Sequence, residues 1–340
     1  MSSKTKTPAE IAKIMAAINK GFKGAATILG QGARSDVKEA IPSGLEVLDK
    51  YVIGCGGWPV GRISEVFSEE GGGKTSLLLA ALAGAQRAGG IAVMVETEVA
   101  LDSQRAKVFG VDLDKVILLQ PGHLDEATRQ IELTLESIPP DVGPVFIGWD
   151  SLAATMSKEE AEQGLPDKDS FDKRAKGISQ AMRVLSPLVA KARCHLMLIN
   201  QVRANIGVLF GDKHVTPGGK AVKFHASVRV QLFGGRAIKD AGGQHLGKDI
   251  TVVAVKNKLV RPYRKARARL MFDTGWDTEW STLDHAKTLK VIDARARDVN
   301  AARKSLEAVE WYRSSSAPVV TPDNADVDSD EDGGYDPDGL

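Results

Sequence analysis

Ser68-Glu69-Glu70-Gly71-Gly72-Gly73-Lys74-Thr75 brings together the residue types that phosphate chemistry requires at close spacing. Glycines let successive backbone N–H groups point at an anion without side-chain clashes. Lys74 at the end of the loop would reach β- and γ-phosphates, and the hydroxyl of Thr75 would bind Mg²⁺. The usual first glycine is Ser68 here. A glycine-rich turn before a buried helix is therefore the alternative reading. Carboxylates that could complete such a site stand at the ends of two apolar runs. Asp150 follows residues 145–149 and would hold the metal, directly or through water. Its alternative role is to cap the next helix. Glu96 and Glu98 follow residues 91–95, and one of them could orient a water for attack on the γ-phosphate.

The surrounding elements suit that chemistry. The apolar run 62–67 precedes the loop and the helical run 76–83 follows it, giving strand, turn and helix. A helix start adds unpaired N–H groups and a positive dipole end, and Ser76 lies in its first turn. Downstream, the patterns predict strands over 91–95, 116–119, 145–149 and 195–199. Helices are predicted over 102–109, 124–138 and 171–192. Continuous apolar strands alternating with helices predict an α/β fold, a mainly parallel sheet with helices on both faces. Ligands of such sheets bind at the carboxyl ends of the strands. Later strands over 227–233, 251–256 and 267–272 read as an antiparallel extension. Residues 286–313 carry a charged helical pattern. Near the start, residues 8–20 predict a helix with Ile11, Ile14, Met15 and Ile18 on one face. Stretches 157–170 and 201–219 fit neither helix nor strand, and long loops inside compact domains are usually functional or mobile.

Composition narrows the class. At 43% hydrophobic and 26% charged, the 340 residues have an ordinary globular balance. With no apolar run of 18 or more, no membrane partner is expected. Residues 1–23 lack the pattern of a secretory signal. Two cysteines, Cys55 and Cys194, are too few for a disulfide framework and suit a cytoplasmic setting. The net charge of +1 hides an asymmetry, because residues 323–340 hold eight acids and no lysine or arginine. The remainder has 45 basic against 36 acidic residues. A basic body with an acidic tail implies a polyanion partner, the tail competing with it. A tail that merely solubilises is the alternative.

Several longer segments are similar to one family. They are Leu101-Asp102, Gly110-Val111-Asp112, Gln180-Ala181-Met182-Arg183, Asn200-Gln201-Val202-Arg203, Ile206-Gly207-Val208-Leu209-Phe210-Gly211, the run from Gly218 to Phe224, Ala226-Ser227-Val228-Arg229 and Val255-Lys256-Asn257-Lys258. In this order, over about residues 8–285, they resemble the RecA-type homologous recombinases, most closely the bacterial branch. The resemblance implies an ATP- and Mg²⁺-dependent enzyme that forms a helical filament of its own copies on single-stranded DNA. It also implies DNA-dependent ATP hydrolysis, homologous pairing and exchange with double-stranded DNA, and a role in recombination and repair. The alternative is a ring helicase or regulatory ATPase on the same fold without strand exchange.

The resemblance implies roles residue by residue. Residues Ser68, Glu69, Glu70, Gly71, Gly72, Gly73, Lys74, Thr75 and Ser76, with Asp102 and Arg105, would hold ATP. Arg105 stands where the family has an adenine-stacking tyrosine. Thr75 and Asp150 would hold the metal, Glu98 would activate water and Gln201 would sense the γ-phosphate. Lys256 and Lys258 would reach ATP on the adjacent subunit. Taken without the family, that pair reads as a solvated strand edge. The loops near 157–171 and 202–219 would bind DNA. Lys176, Ser179, Arg183, Arg203, Gly218 and Gly219 would lie on its phosphates, and Phe171 and Ile206 between base triplets; Phe171 and Ile206 as core residues is the alternative. The implied organisation is a polymerisation segment over 1–36, a RecA-like core over 37–283, a reduced helical region over 284–313 and a disordered acidic tail over 314–340. The family's duplex-capturing site is basic, but the matching positions here are Phe233, Gly234, Thr251 and Val253, so Arg236 and Lys239 are the candidates in their place.

Overall fold

The computed structural model describes residues 8–23, 25–28, 37–98, 101–139, 142–163, 170–204 and 214–309. Ile206 and the acidic tail lie outside them. The described chain begins with α1 (Pro8–Gly21), β1 (Ala40–Ile41), a π-helical stretch (Val47–Ile53), β2 (Trp58–Pro59), β3 (Ile63–Ser68) and α2 (Lys74–Arg87). It continues through β4 (Ile91–Glu96), α3 (Ser103–Val108), β5 (Val116–Leu119), α4 (Leu124–Ser137), β6 (Val145–Asp150), α5 (Lys158–Gln163) and α6 (Ser170–Lys191). Next come β7 (Cys194–Gln201), β8 (Arg203–Ala204), β9 (His214–Val215) and α7 (Gly219–His225). It closes with β10 (Val228–Lys239), β11 (His245–Asn257), β12 (Lys265–Met271), β13 (Gly275–Asp277), α8 (Thr278–Thr288) and α9 (Val299–Glu307).

Nine strands make one sheet in the order β13-β12-β11-β10-β3-β7-β6-β4-β5. From β10 to β5 every pairing is parallel. From β10 to β13 every pairing is antiparallel. The α/β architecture expected from the alternating pattern, with its antiparallel extension, is thus the one formed. The inner strands β3, β4, β6 and β7 are buried nearly end to end because both faces are covered. Met197 and Ile199 join the core under α2, whereas Cys194, Leu196 and Leu198 join the core under α4 and α6. Successive side chains point to opposite faces, so one strand feeds two cores. Helix α2 is buried nearly all round, including Leu77, Leu78, Leu79 and Leu82. Burying each such leucine contributes roughly 1.5–3 kcal/mol. Gly148 admits this helix: a Cβ there would lie 2.7 Å from Leu78 Cγ.

Three expectations are corrected. The helical pattern over 286–313 is not one helix: α8 ends at Thr288 and α9 starts only at Val299, where Asp298 caps it. Strands β10 and β11 reach 12 and 13 residues, longer than their patterns suggest. Gly234 reads as a strand end, yet a register shift between Gly234 and Ala237 carries the strand through. Part of the unassigned stretch 157–170 is helical as α5. The first helix is present, and Ile11, Ile14 and Ile18 on it are exposed. Among the described residues, no helix is long and apolar enough to cross a membrane.

Candidate functional site

The register places the candidate residues at one end of the parallel strands. Ser68 pairs with Gln201 across β3 and β7, and Glu96 with Asp150 across β4 and β6. The loop after β3 turns through Gly71 at φ 68° and Gly73 at φ 94°, values that favour glycine. A Cβ on Gly73 would also meet Ile250 Cδ1 at 2.9 Å, so the antiparallel extension packs directly against the loop. Lys74 Nζ donates to Ser68 Oγ at 3.1 Å and to the Glu69 carbonyl at 2.8 Å. Ser68, in place of the usual glycine, therefore ties down the loop lysine. Burial pushes the Lys74 ammonium below its ordinary value, while the charges of Asp150, Glu98 and Glu70 act to raise it.

Thr75 Oγ1 donates to Asp150 Oδ2 at 2.6 Å. Burial pushes Asp150 up to about 6, against the opposing effects of the Thr75 hydroxyl and Lys74. One hydroxyl beside one carboxylate is a hard oxygen pair suited to Mg²⁺, which keeps several waters and takes phosphate oxygens as further ligands. Among the described residues, no three His, Cys, Asp or Glu side chains cluster to hold a metal unaided. The donor set thus fits a metal that arrives with a nucleotide.

The two glutamates are separated by their partners. Glu96 is buried and accepts from the Leu101 N–H at 3.1 Å and Gln120 Nε2 at 3.0 Å. It fixes the chain behind β4. Glu98 Oε1 accepts from the Ser151 hydroxyl and from Gln201 Nε2 at 3.4 Å. It therefore bridges the ends of β4, β6 and β7. Asn200, next to Gln201, donates to Glu65 Oε1 and to the Pro217 carbonyl, each at 2.9 Å. Pro217 immediately precedes Gly218, so the end of β7 is linked to the far end of the second loop.

A pocket of about 210 Å³ is lined by Gly71–Ser76, Arg105, Lys248, Leu270 and Phe272. Arg105 donates to the Phe272 carbonyl and, at 3.2 Å, to Ser76 Oγ; its guanidinium lies 4.9 Å from the Phe109 ring centroid. Asp102 caps α3, accepting from the Gln104 N–H at 2.8 Å. Lys256 and Lys258 lie elsewhere. Asn257 between them pairs with Val228, which pairs with Ser64, away from the loop end of β3. Lys256 donates to the carbonyls of Lys223 and Phe224, and Lys258 to Phe224 at 3.3 Å.

A second pocket, of about 520 Å³, contains Lys173, Lys176, Ser179 and Arg183 of α6 with Lys158 of α5. Spacings of three and four residues put this set on one helix face. Gly218 and Gly219, at φ 95° and 63°, start α7 against the same helix. A Cβ on Gly218 would lie 3.3 Å from Ile178, and one on Gly219 3.9 Å from Ala175 Cβ. Phe171 and Arg203 belong to α6 and β8 by backbone. Their side chains, and all of Ile206, lie outside what is described. The motifs missed Lys248, Phe272 and Ser151. Ser151 directly follows Asp150 in the sequence, whereas no spacing pointed to Lys248, 177 residues from its loop partner.

Comparison with known proteins accords with this geometry. A family model described as the RecA N-terminal domain matches residues 9–277. The chain is 39% identical over 279 residues to Protein RecA of Bacteroides thetaiotaomicron, covering 82% of each. It is 38% identical over 278 residues to Protein RecA of Thermus aquaticus, covering 81% of this chain and 79% of the relative. With that of Francisella philomiragia it shares 37% over 277 residues, covering 81% and 75%. Matched over most of its length and folded around a glycine-lysine-threonine loop at the end of a largely parallel sheet, the chain belongs to the RecA family of homologous recombinases.

Proposed function

We propose that the chain is a DNA-dependent ATPase that assembles on single-stranded DNA as a helical filament and exchanges that strand with a homologous duplex. It acts in the cytoplasm in recombination and repair. The observation that carries this reading is the Glu98 bridge, which joins Ser151, the residue after the Thr75-bonded Asp150, to Gln201 at the mouth of the second loop.

In this reading ATP supplies a γ-phosphoryl group whose transfer to water releases free energy, and Mg²⁺ neutralises its charge. The loop N–H groups, with Lys74, would hold the phosphates, and Thr75 and Asp150 would hold the metal. Glu98 accepts the proton of the attacking water. Gln201, shared between Glu98 and the loop that follows it, reports the γ-phosphate to the DNA side. Lys256 and Lys258 face away from their own loop and stabilise transition-state charge on a neighbouring copy, as an arginine finger does. The exposed isoleucines of α1 dock on that neighbour, and contacts that do not close into a ring propagate a filament. Lys176, Ser179, Arg183, Arg203, Gly218 and Gly219 hold backbone phosphates, while Phe171 and Ile206 separate bases. Binding of this kind accepts any sequence.

The test is strand exchange and ATP hydrolysis with and without single-stranded DNA. Wild type performs both, and Lys74→Ala neither. Normal strand exchange by Lys74→Ala would sink the proposed ATP switch. Hydrolysis without exchange in wild type would favour a ring helicase or regulatory ATPase.

A further inference from the structure

Lys248 is a half-buried cation in the loop pocket that no motif assigned. It sits near the start of β11, opposite Leu270 of β12. Gly247 before it lets the two strands close up, since a Cβ there would lie 2.4 Å from the Leu270 carbonyl. The backbone position of Lys248 is therefore held firmly. Its Nζ donates to the carbonyl of Gly71, inside the phosphate loop.

Three cations share this region, and their surroundings differ. Lys74 is acted on by the carboxylates of Asp150, Glu98 and Glu70. Arg105 is acted on by Asp273 and Asp102. For Lys248 burial pushes the ammonium below the ordinary lysine value and the Arg105 charge acts the same way, while Lys248 in turn acts to lower Lys74. A cation held beside another cation is a cost that an incoming anion would remove. The pocket also has a direction. Asp150 and Glu98 mark the end where a phosphoryl group is hydrolysed, and both act on Lys74. Lys248 lies with Arg105, Leu270 and Phe272, whose partly apolar surface suits a nucleoside.

Building on the reading of the loop as a nucleotide site, we propose that Lys248 is a second phosphate-binding lysine, contributed by the same chain and directed at the α- and β-phosphates. In the nucleotide complex its ammonium leaves or shares the Gly71 carbonyl and bonds phosphate oxygens. Lys74 and Lys248 then grip the polyphosphate from two sides, and Lys248 serves nucleoside di- and triphosphates alike.

The experiment is calorimetric titration of the full chain with Mg²⁺-ADP, using wild type, Lys248→Gln and Lys248→Arg. Glutamine keeps an N–H donor for the Gly71 carbonyl and removes the charge, so it separates loop tethering from phosphate binding. Lys248→Gln is expected to bind about tenfold to a hundredfold more weakly, the range for a hydrogen bond to a charged group. Lys248→Arg should stay within about threefold of wild type. A non-hydrolysable ATP analogue should show the same loss as ADP. Unchanged ADP affinity in a folded Lys248→Gln protein overturns the proposal. Failure of wild type to bind ADP overturns instead the reading of the loop on which the proposal rests. A second measurement needs no variant: acylation of Lys248 followed by mass spectrometry should be suppressed by ADP and not by adenosine. Equal labelling with and without ADP also overturns it.

Discussion

At the carboxyl ends of the parallel strands, Thr75 is tied to Asp150, and Glu98 to both Ser151 and Gln201, side chain to side chain. At the other end of the β10–β11 pair, Lys256 and Lys258 rest on backbone carbonyls of residues 223 and 224. There burial, then Lys258 and Arg229, push Lys256 below its ordinary value, with Glu65 acting the other way. In the first region the carboxylates accept from hydroxyls and an amide of the same chain. The second holds like charges beside the exposed ring of Phe224. Glu65 pairs with Arg229 and only partly offsets the charge on Lys256, so the two lysines would be stabilised by an anion from outside, which is the proposed phosphate of a second copy.

Four experiments test that contrast, in falling order of expected effect. The double variant Lys256→Ala, Lys258→Ala should lose about a thousandfold in DNA-stimulated ATP hydrolysis, the lower range for a finger supplied across an interface. It should still bind ADP when dilute. Mixing it with Lys74→Ala should restore part of the rate, because each protein supplies what the other lacks; no recovery would place the lysines outside the site. Glu98→Gln should lower hydrolysis by about a hundredfold with nucleotide binding retained. Glu96→Gln should change hydrolysis by less than about tenfold and mainly lower the melting temperature, since Glu96 serves the Leu101 N–H and Gln120. An equal loss in both glutamate variants would break the distinction drawn from their partners. Lys176→Ala should weaken single-stranded DNA binding uniformly across sequences and reduce the salt slope by about one, leaving ADP affinity unchanged.

The legible and the illegible parts of the molecule differ in a simple way. Loop, lysine, threonine and the strand-terminal Asp150 could be read because local periodicity and turn chemistry mark where a strand stops and a helix starts. The length of β10 is hidden in the sequence because Gly234-Gly235 looks like a terminator. A Cβ at Gly235 would lie 2.9 Å from the Asp249 carbonyl, so this glycine serves close strand approach instead. The break between α8 and α9 is hidden in the sequence because charged residues continue across it.

Glu96 and Glu98 stand two residues apart at the end of one apolar run, and spacing alone assigns neither. Their roles separate only where Gln120, Ser151 and Gln201 arrive from β5, β6 and β7. By itself, the sequence determined that a phosphate loop opens a buried helix in an alternating α/β chain, because those signals lie within one or two turns of backbone. The tertiary structure decided which carboxylate meets Gln201, that Lys248 reaches the loop from 177 residues away, and that Lys256 and Lys258 face the other way. Those facts depend on strand order and register, which bring distant residues together with no trace in local spacing.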